Sequence, residues 1–202
     1  MNAMVQVEPV SPVPASPPLG TRTRRFTLDD VFAMQAMGVI GGDERLELID
    51  GELVPMQSKF NRHFVYQARL VRWFGRKLPD SVEVGAEPTL FLDPFNGPQP
   101  DVQLHPAGID TRDLRPSQVY LVIEVSDSTV AEDLGPKALL YARFGVPEYW
   151  VVDTPARVIH VHRGPLPDGW REVRRYAADE AVAPLAFPDL AVSLTTLAPE
   201  FS

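Results

Sequence analysis

Glu124 is the residue of this 202-residue chain that most needs a physical explanation. It sits in Val119–Val125 (VYLVIEV), a run that is apolar on both faces apart from this carboxylate. Val119, Leu121, Ile123 and Val125 alternate to one side; Tyr120, Val122 and Glu124 alternate to the other. Such a run reads as a central strand covered on both faces. A carboxylate there is costly unless it is paired, hydrogen-bonded or bound to a metal. Asp101, at the start of a short predicted strand (Pro100–His105, PDVQLH), and Lys137, on the helix predicted to follow the strand of Glu124, are the candidate partners. If the two strands are neighbours, the carboxylates of Asp101 and Glu124 converge near one end of a sheet and Lys137 returns to the same place. Two carboxylates with several waters suit Mg²⁺, with Mn²⁺ as a possible substitute. Such an ion polarises a phosphoryl oxygen and lowers the pKa of a bound water. Lys137, four residues before Tyr141 on one helical face, would orient that water or stabilise charge on the phosphorane.

Plainer readings stand beside this one. Asp101 alone is a strand-start turn residue, and Pro188-Asp189 repeats the same dipeptide elsewhere. Glu124 and Lys137 could form a buried ion pair, which is tolerated rather than clearly stabilising and leaves Asp101 unexplained.

The elements that position these residues follow from local patterns. After Glu124 the chain turns through Ser126-Asp127-Ser128-Thr129, good N-cap residues, with Glu132 and Asp133 suited to a helix start. Leu134, Ala138, Tyr141 and Ala142 recur at helical spacing, and Gly135-Pro136 suggests that the regular helix begins at Pro136. Gly145 and Pro147 end it, and a strand, Glu148–Asp153, follows. Strand–helix–strand implies a right-handed parallel crossover.

Upstream, Met1 to about Thr21 is Pro-, Val- and Ser-rich without periodicity, so 1–21 is expected to be a disordered tail or, less simply, a proline-rich docking segment. Residues 22–202 are expected to form one domain. Arg22, Arg24 and Arg25 read as a solvated basic linker. Phe26–Met37 is a short helix with Thr27 and Asp30 in capping-box spacing. Leu46–Met56 is a hairpin about Asp50-Gly51; on pattern alone Glu47 is an exposed strand carboxylate. Asn61–Leu78 is a longer helix with a stripe of Phe64, Ala68, Val71 and Leu78, and His63 near its start is a structural residue on pattern.

Further on, Ser81–Leu92 is one bent strand or a pair, and Asp93–Gln99 a turn-rich loop. Arg157–Arg163 and Trp170–Tyr176 form a hairpin with a rather long loop. Its arginines (Arg163, Arg171, Arg174, Arg175) suit a solvated face more than a phosphate cradle. Val182–Leu197 is expected to give a short strand and a terminal turn.

Composition bounds the function. A hydrophobic fraction of 45% is that of a globular protein. With no cysteine there is no thiolate nucleophile, disulfide or zinc–thiolate site. No apolar run is long enough for a membrane span, and no secretory signal is visible, so a cytoplasmic protein is expected. The net charge of −8 argues against a protein that coats nucleic acid, but leaves room for a local basic groove.

LELIDGELVPM, PDVQLHP, LVIEVSDST and KALLYARFGVPEYWVVD together resemble the Uma-type family of restriction-endonuclease-like proteins, formerly a domain of unknown function, within the PD-(D/E)XK nuclease-like superfamily. The likeness runs from about Phe26 to Leu197, with the motifs in order. It implies an α/β fold with a restriction-endonuclease-like core, a central mixed β-sheet flanked by helices, with an N-terminal helix and β-hairpin added. It implies that Asp101 and Glu124 are the motif acids and metal ligands. The position two after Glu124, where a lysine would stand, is Ser126; Lys137 matches the variant in which the lysine has migrated to the following helix. Glu47 resembles an additional acidic residue of the site, and His63 and Tyr141 match family positions without assigned roles. The implied activity is Mg²⁺-dependent endonucleolytic hydrolysis of DNA through Asp101, Glu124, Lys137 and Glu47; the alternative is a catalytically weak nuclease-like binding or regulatory module. A nucleic-acid partner, DNA foremost, and a homodimer are expected by analogy alone.

Overall fold

The computed structural model describes residues 24–56 and 61–201. The proline-rich tail and Arg22 lie outside the described residues.

A six-stranded mixed sheet carries the structure. Its strands are β3 (Val82–Ala86), β4 (Val102–Pro106), β5 (Leu121–Ser126), β6 (Glu148–Asp153), β7 (Val158–Leu166) and β8 (Gly169–Ala177), in that spatial order. Only the β5–β6 pair is parallel, as the crossover between them requires; the other four pairings are antiparallel. A separate hairpin of β1 (Leu46–Ile49) and β2 (Glu52–Pro55) sits beside the sheet.

Both faces of the central strands are covered, as the apolar run about Glu124 implies. On one face Leu121, Ile123 and Val125 of β5 pack with Tyr66, Leu70 and Phe74 of helix α2 (Asn61–Gly75) and with Leu194 and Leu197 of the C-terminal segment. On the other, Val122, Tyr149 and Val151 pack with Leu140 and Tyr141 of α4 (Ala138–Arg143). A third cluster, Leu28, Val31, Ile40 and Leu48, joins α1 (Leu28–Ala36) to the hairpin. The architecture is therefore α/β: a central mixed sheet flanked by helices, with an N-terminal helix and hairpin added.

Local expectations hold where side-chain chemistry is self-contained. Thr27 and Asp30 form a complete capping box on α1. Asp50 (φ 49°) and Gly51 (φ 79°) both adopt positive φ in the two-residue hairpin turn. Gly145 takes φ 76° after α4.

Four expectations are corrected. The buried face of α2 is His63, Tyr66, Gln67, Leu70 and Phe74, and Phe64 is 65% exposed. Hydropathy missed this rotation because His63 and Gln67 are buried to make hydrogen bonds. Of Ser81–Leu92 only Val82–Ala86 is a strand, since Pro88 leaves the ladder and Glu87 takes φ 54°. The β7–β8 turn is short: the strands pair out to Leu166 opposite Gly169, leaving Pro167 and Asp168 between them. The segment Val182–Leu197 makes one bridge, Val182 to Val192, and then a short helix α5 (Leu194–Leu197) capped by Ser193. Among the described residues no helix is long and apolar enough to cross a membrane.

Arg163 also departs from a solvated face. Its Nε donates to Glu148 Oε1 at 2.8 Å and its Nη2 to the Ala183 carbonyl at 2.7 Å. Glu148, fully buried, also accepts from Trp150 Nε1 and the Leu185 N–H. This pair ties the C-terminal segment to β6. Arg163→Met strands the carboxylate and is expected to lower unfolding stability by roughly 3–5 kcal/mol in a urea titration.

His162, buried among Tyr149 and Trp170, is held down to about 4, chiefly by burial. The unfolded chain takes up this proton near pH 6.5 and the folded chain does not. Its contribution is therefore complete above about pH 6.5 and is lost as pH falls towards 4. The urea midpoint of His162→Phe is expected to fall less steeply over that interval than that of the wild type.

Candidate active site

The register of β4 and β5 builds the site. Val102 stands opposite Ile123 in an antiparallel pair, so the next pair outward is Asp101 opposite Glu124. Opposed residues share a face, and the two acids are bound to each other's strands. The Asp101 N–H donates to Glu124 Oε2 at 3.3 Å, and the Val125 N–H donates to Asp101 Oδ2 at 2.7 Å. His63, at the start of α2, places Nε2 2.9 Å from Asp101 Oδ2. The carboxylate requires the ring proton on Nε2. Gln67, one turn further along α2, donates to the Asp101 carbonyl at 3.1 Å.

Lys137 arrives by an unusual route. The chain after β5 forms a single helical turn, α3 (Val130–Glu132), then a π-helical turn (Asp133–Lys137) with Pro136 inside it, and then α4. A regular helix beginning at Pro136 is thus replaced by a π turn running into α4; such wide turns are frequent at functional sites. The turn brings Lys137 Nζ to 3.0 Å from Glu124 Oε1 and 3.0 Å from Glu47 Oε1. The lysine side chain is 12% exposed and both carboxylates are more deeply covered. One helical turn on, the Tyr141 hydroxyl donates to Glu124 Oε1 at 2.9 Å.

Glu47 is not an exposed strand carboxylate. The 93–99 loop docks on the hairpin through Gly97 N–H to the Leu48 carbonyl and Gly51 N–H to the Phe95 carbonyl, both 2.8 Å. The approach is close at Gly97, where a Cβ would lie 2.5 Å from a Leu28 methyl and would push that side chain aside. This docking turns Glu47 inward, where Oε1 accepts the Gln99 N–H at 2.6 Å.

Electrostatics follow from the crowding. The Glu124 carboxyl is pushed well above the usual carboxylate range, first by burial; Lys137 opposes this, and the charges of Asp101, Asp133 and Glu47 add to it. Burial alone would pull the Lys137 ammonium down, but Glu124, Glu47 and Asp133 together hold it above its ordinary value. The Tyr141 phenol is raised by burial and by Glu124, so it stays a donor. Glu47, Asp101, Glu124, Asp133 and Lys137 border a cleft of about 70 Å³.

The structure thus brings Asp101, Glu124, Lys137 and Glu47 together, with His63 and Tyr141 touching them. Sequence reasoning missed the support beneath Lys137. Ser126, two residues after Glu124, donates from Oγ to Asp133 Oδ2 at 2.5 Å. Thr129 Oγ1 donates to the same oxygen at 2.7 Å, and Tyr149 donates to the Asp133 carbonyl at 3.0 Å. Asp133 starts the π turn, so these bonds fix the base from which Lys137 projects. Asp133 three residues after an apolar Val130 was the available signal, and it reads equally as an ordinary helix-start acid. Ser126→Ala is expected to destabilise the fold by roughly 1.5–3 kcal/mol in chemical denaturation, because a buried carboxylate loses a donor.

A family model described as "Uma2: Putative restriction endonuclease" matches residues 28–197. No curated protein matches the chain. Among solved structures, one described as a putative nuclease belonging to DUF820 from Anabaena variabilis is similar, with a TM-score of 0.68 at 16% identity. The match covers 88% of this chain and 99% of that one. That likeness is one of fold.

Proposed function

The chain belongs to the Uma2 family of restriction-endonuclease-like nucleases, and from that premise we propose that it is a divalent-metal-dependent endonuclease hydrolysing phosphodiester bonds in DNA. The observation that carries this reading is the convergence of Asp101, Glu124, Glu47 and Lys137 on one cleft.

A divalent ion fits the donor set. Carboxylates outnumber cations around Glu124: burial is the first cause of its raised carboxyl, Lys137 opposes it, and Asp101, Asp133 and Glu47 each push the same way as burial. Among the described residues no group of three or more His, Cys, Asp or Glu is arranged to hold a metal by side chains alone. An ion here would therefore keep waters and take substrate oxygens, which is the habit of Mg²⁺, with Mn²⁺ as its substitute, and not of zinc. Asp101 and Glu124 would hold it. When bound, it supplies polarisation of the phosphoryl oxygen and a more acidic water.

The remaining residues have roles of their own. Lys137, kept charged by its flanking carboxylates, presents an ammonium to the negative charge that develops on the phosphoryl group. Glu47 holds that ammonium together with Glu124, each at 3.0 Å. His63 and the Val125 N–H orient Asp101, and Tyr141 orients Glu124. A homodimer, each copy cutting one strand, is part of the proposal by analogy.

The net charge of −8, and a lysine held by two carboxylates, favour as a second reading a nuclease-like module that binds without efficient cleavage. Calorimetry with Mg²⁺ and Mn²⁺ and cleavage of supercoiled plasmid separate the two. Wild type is expected to bind metal and nick DNA. Glu124→Gln and Asp101→Asn are expected to lose metal binding, and Lys137→Gln to keep it while cutting about 10²–10³-fold more slowly. Metal binding without cleavage leaves the binding module. No binding at millimolar metal by a folded wild type overturns the metallonuclease reading.

A further inference from the structure

The chain is acidic overall, yet α2 carries no acidic residue and gathers cations along its length. Arg69, Arg72, Trp73, Arg76 and Lys77 line a groove of about 370 Å³ between the end of α2 and α5. Arg69 is structural: its guanidinium donates to the Leu197 carbonyl at 2.7 Å and to Glu200 Oε2 at 2.8 Å, which fixes the far wall. Arg72 and Arg76 are exposed, and neither pairs with a carboxylate among the described residues. Lys77 Nζ lies 5.0 Å from the centroid of the half-buried Trp73 ring. The groove therefore offers two unneutralised guanidinium groups and an ammonium parked on an indole.

We propose that this groove binds the backbone and one unpaired base of a single-stranded nucleic-acid segment flanking the cleavage centre. Guanidinium groups suit phosphate oxygens through paired N–H donors. An indole beside them suits a base, because every base has a π-face, but only an unpaired base presents it. An exposed cation–π contact is weaker than base–aromatic stacking, so a base displaces Lys77 from the ring and frees its ammonium for a phosphate. Trp73 also packs against the core and edge-on to Phe74, and an acidic protein segment would use the arginines without engaging the part of its ring that carries Lys77. The same helix touches Asp101 through His63, and Arg69 to Arg76 lie about 9–20 Å further along the axis at 1.5 Å per residue. Measured along the axis alone, a strand seated in the groove is a few nucleotides from the carboxylates, with Arg72, nine residues from His63, on the far side of the helix. The proposal deepens the nuclease reading and rests on it for the role of the bound strand.

The test uses the full-length Glu124→Gln protein without added metal, so that binding is read apart from cleavage. The probes are a labelled oligothymidylate of about 15 nucleotides, the matching duplex and a polyglutamate peptide, followed by fluorescence anisotropy. The single strand is expected to bind more tightly than the duplex. Trp73→Leu is expected to weaken single-strand binding roughly tenfold with little effect on duplex. The exposed pair Arg72→Ala/Arg76→Ala is expected to reduce the salt slope by about 1.4, at roughly 0.7 per phosphate on a single strand. Unchanged melting temperatures establish that the variants fold. Single-strand affinity unaltered in the folded double-arginine variant overturns the proposal, as does equal duplex binding that ignores Trp73, or capture of polyglutamate alone. A wild type that binds the single strand through these residues but never cleaves sinks the nuclease reading and leaves the groove standing.

Discussion

A carboxylate in the middle of a covered sheet sets the terms for the rest of this protein. Glu124 sits on β5 with apolar layers on both sides and opposes Asp101 across an antiparallel pair. Two adjacent acids in such a place repel each other and lose their hydration, so the surrounding elements are arranged to answer them. Lys137 and Tyr141 come from the α4 side, His63 from α2, and the Val125 N–H from the sheet itself. The compensation is incomplete, because Glu47 and Asp133 add further negative charge.

The parts that bring these groups together differ in how they are made rigid. The two strand acids are fixed by sheet register, which leaves little freedom. Lys137 depends on a π turn whose first residue is held by Ser126, Thr129 and Tyr149. Glu47 depends on a hairpin clamped to a loop by backbone hydrogen bonds and a close approach at Gly97. The lysine and the outer carboxylate thus share a contact at 3.0 Å while being carried by elements that do not belong to the same sheet. Away from the site, the buried Glu148–Arg163 pair ties β6 to β7 and the C-terminal segment, with both oxygens of the carboxylate engaged.

Much of this was legible in the chain. The strand of Glu124 is written in its apolar run, the crossover in the helix between β5 and β6, and the capping box and Asp50-Gly51 turn in local residue types. Errors arose where polar residues are buried for a purpose. His63 and Gln67 hid the true face of α2, because a hydropathy stripe counts them as solvent-facing. Arg163 looked solvated because its partner, Glu148, lies on another strand. The terminal segment, expected as a short strand and a terminal turn, makes a single bridge and then a short helix, because α5 and Phe201 pack against α2.

By itself the sequence determined which residues could do chemistry, since a carboxylate in an apolar strand, an acid at the head of a neighbouring strand and a lysine on the next helix are features of residue type and spacing. It also determined most of the individual strands and helices, because alternation and helical periodicity depend only on near neighbours, while the class of fold followed from the likeness of its motifs to a known family. Tertiary structure decided the rest. That Asp101 stands opposite Glu124, that the π turn swings Lys137 between two carboxylates, and that Glu47 faces inward all depend on register and docking between segments far apart in the chain. Those relations are fixed by packing and by hydrogen bonds across elements, and no local pattern encodes them.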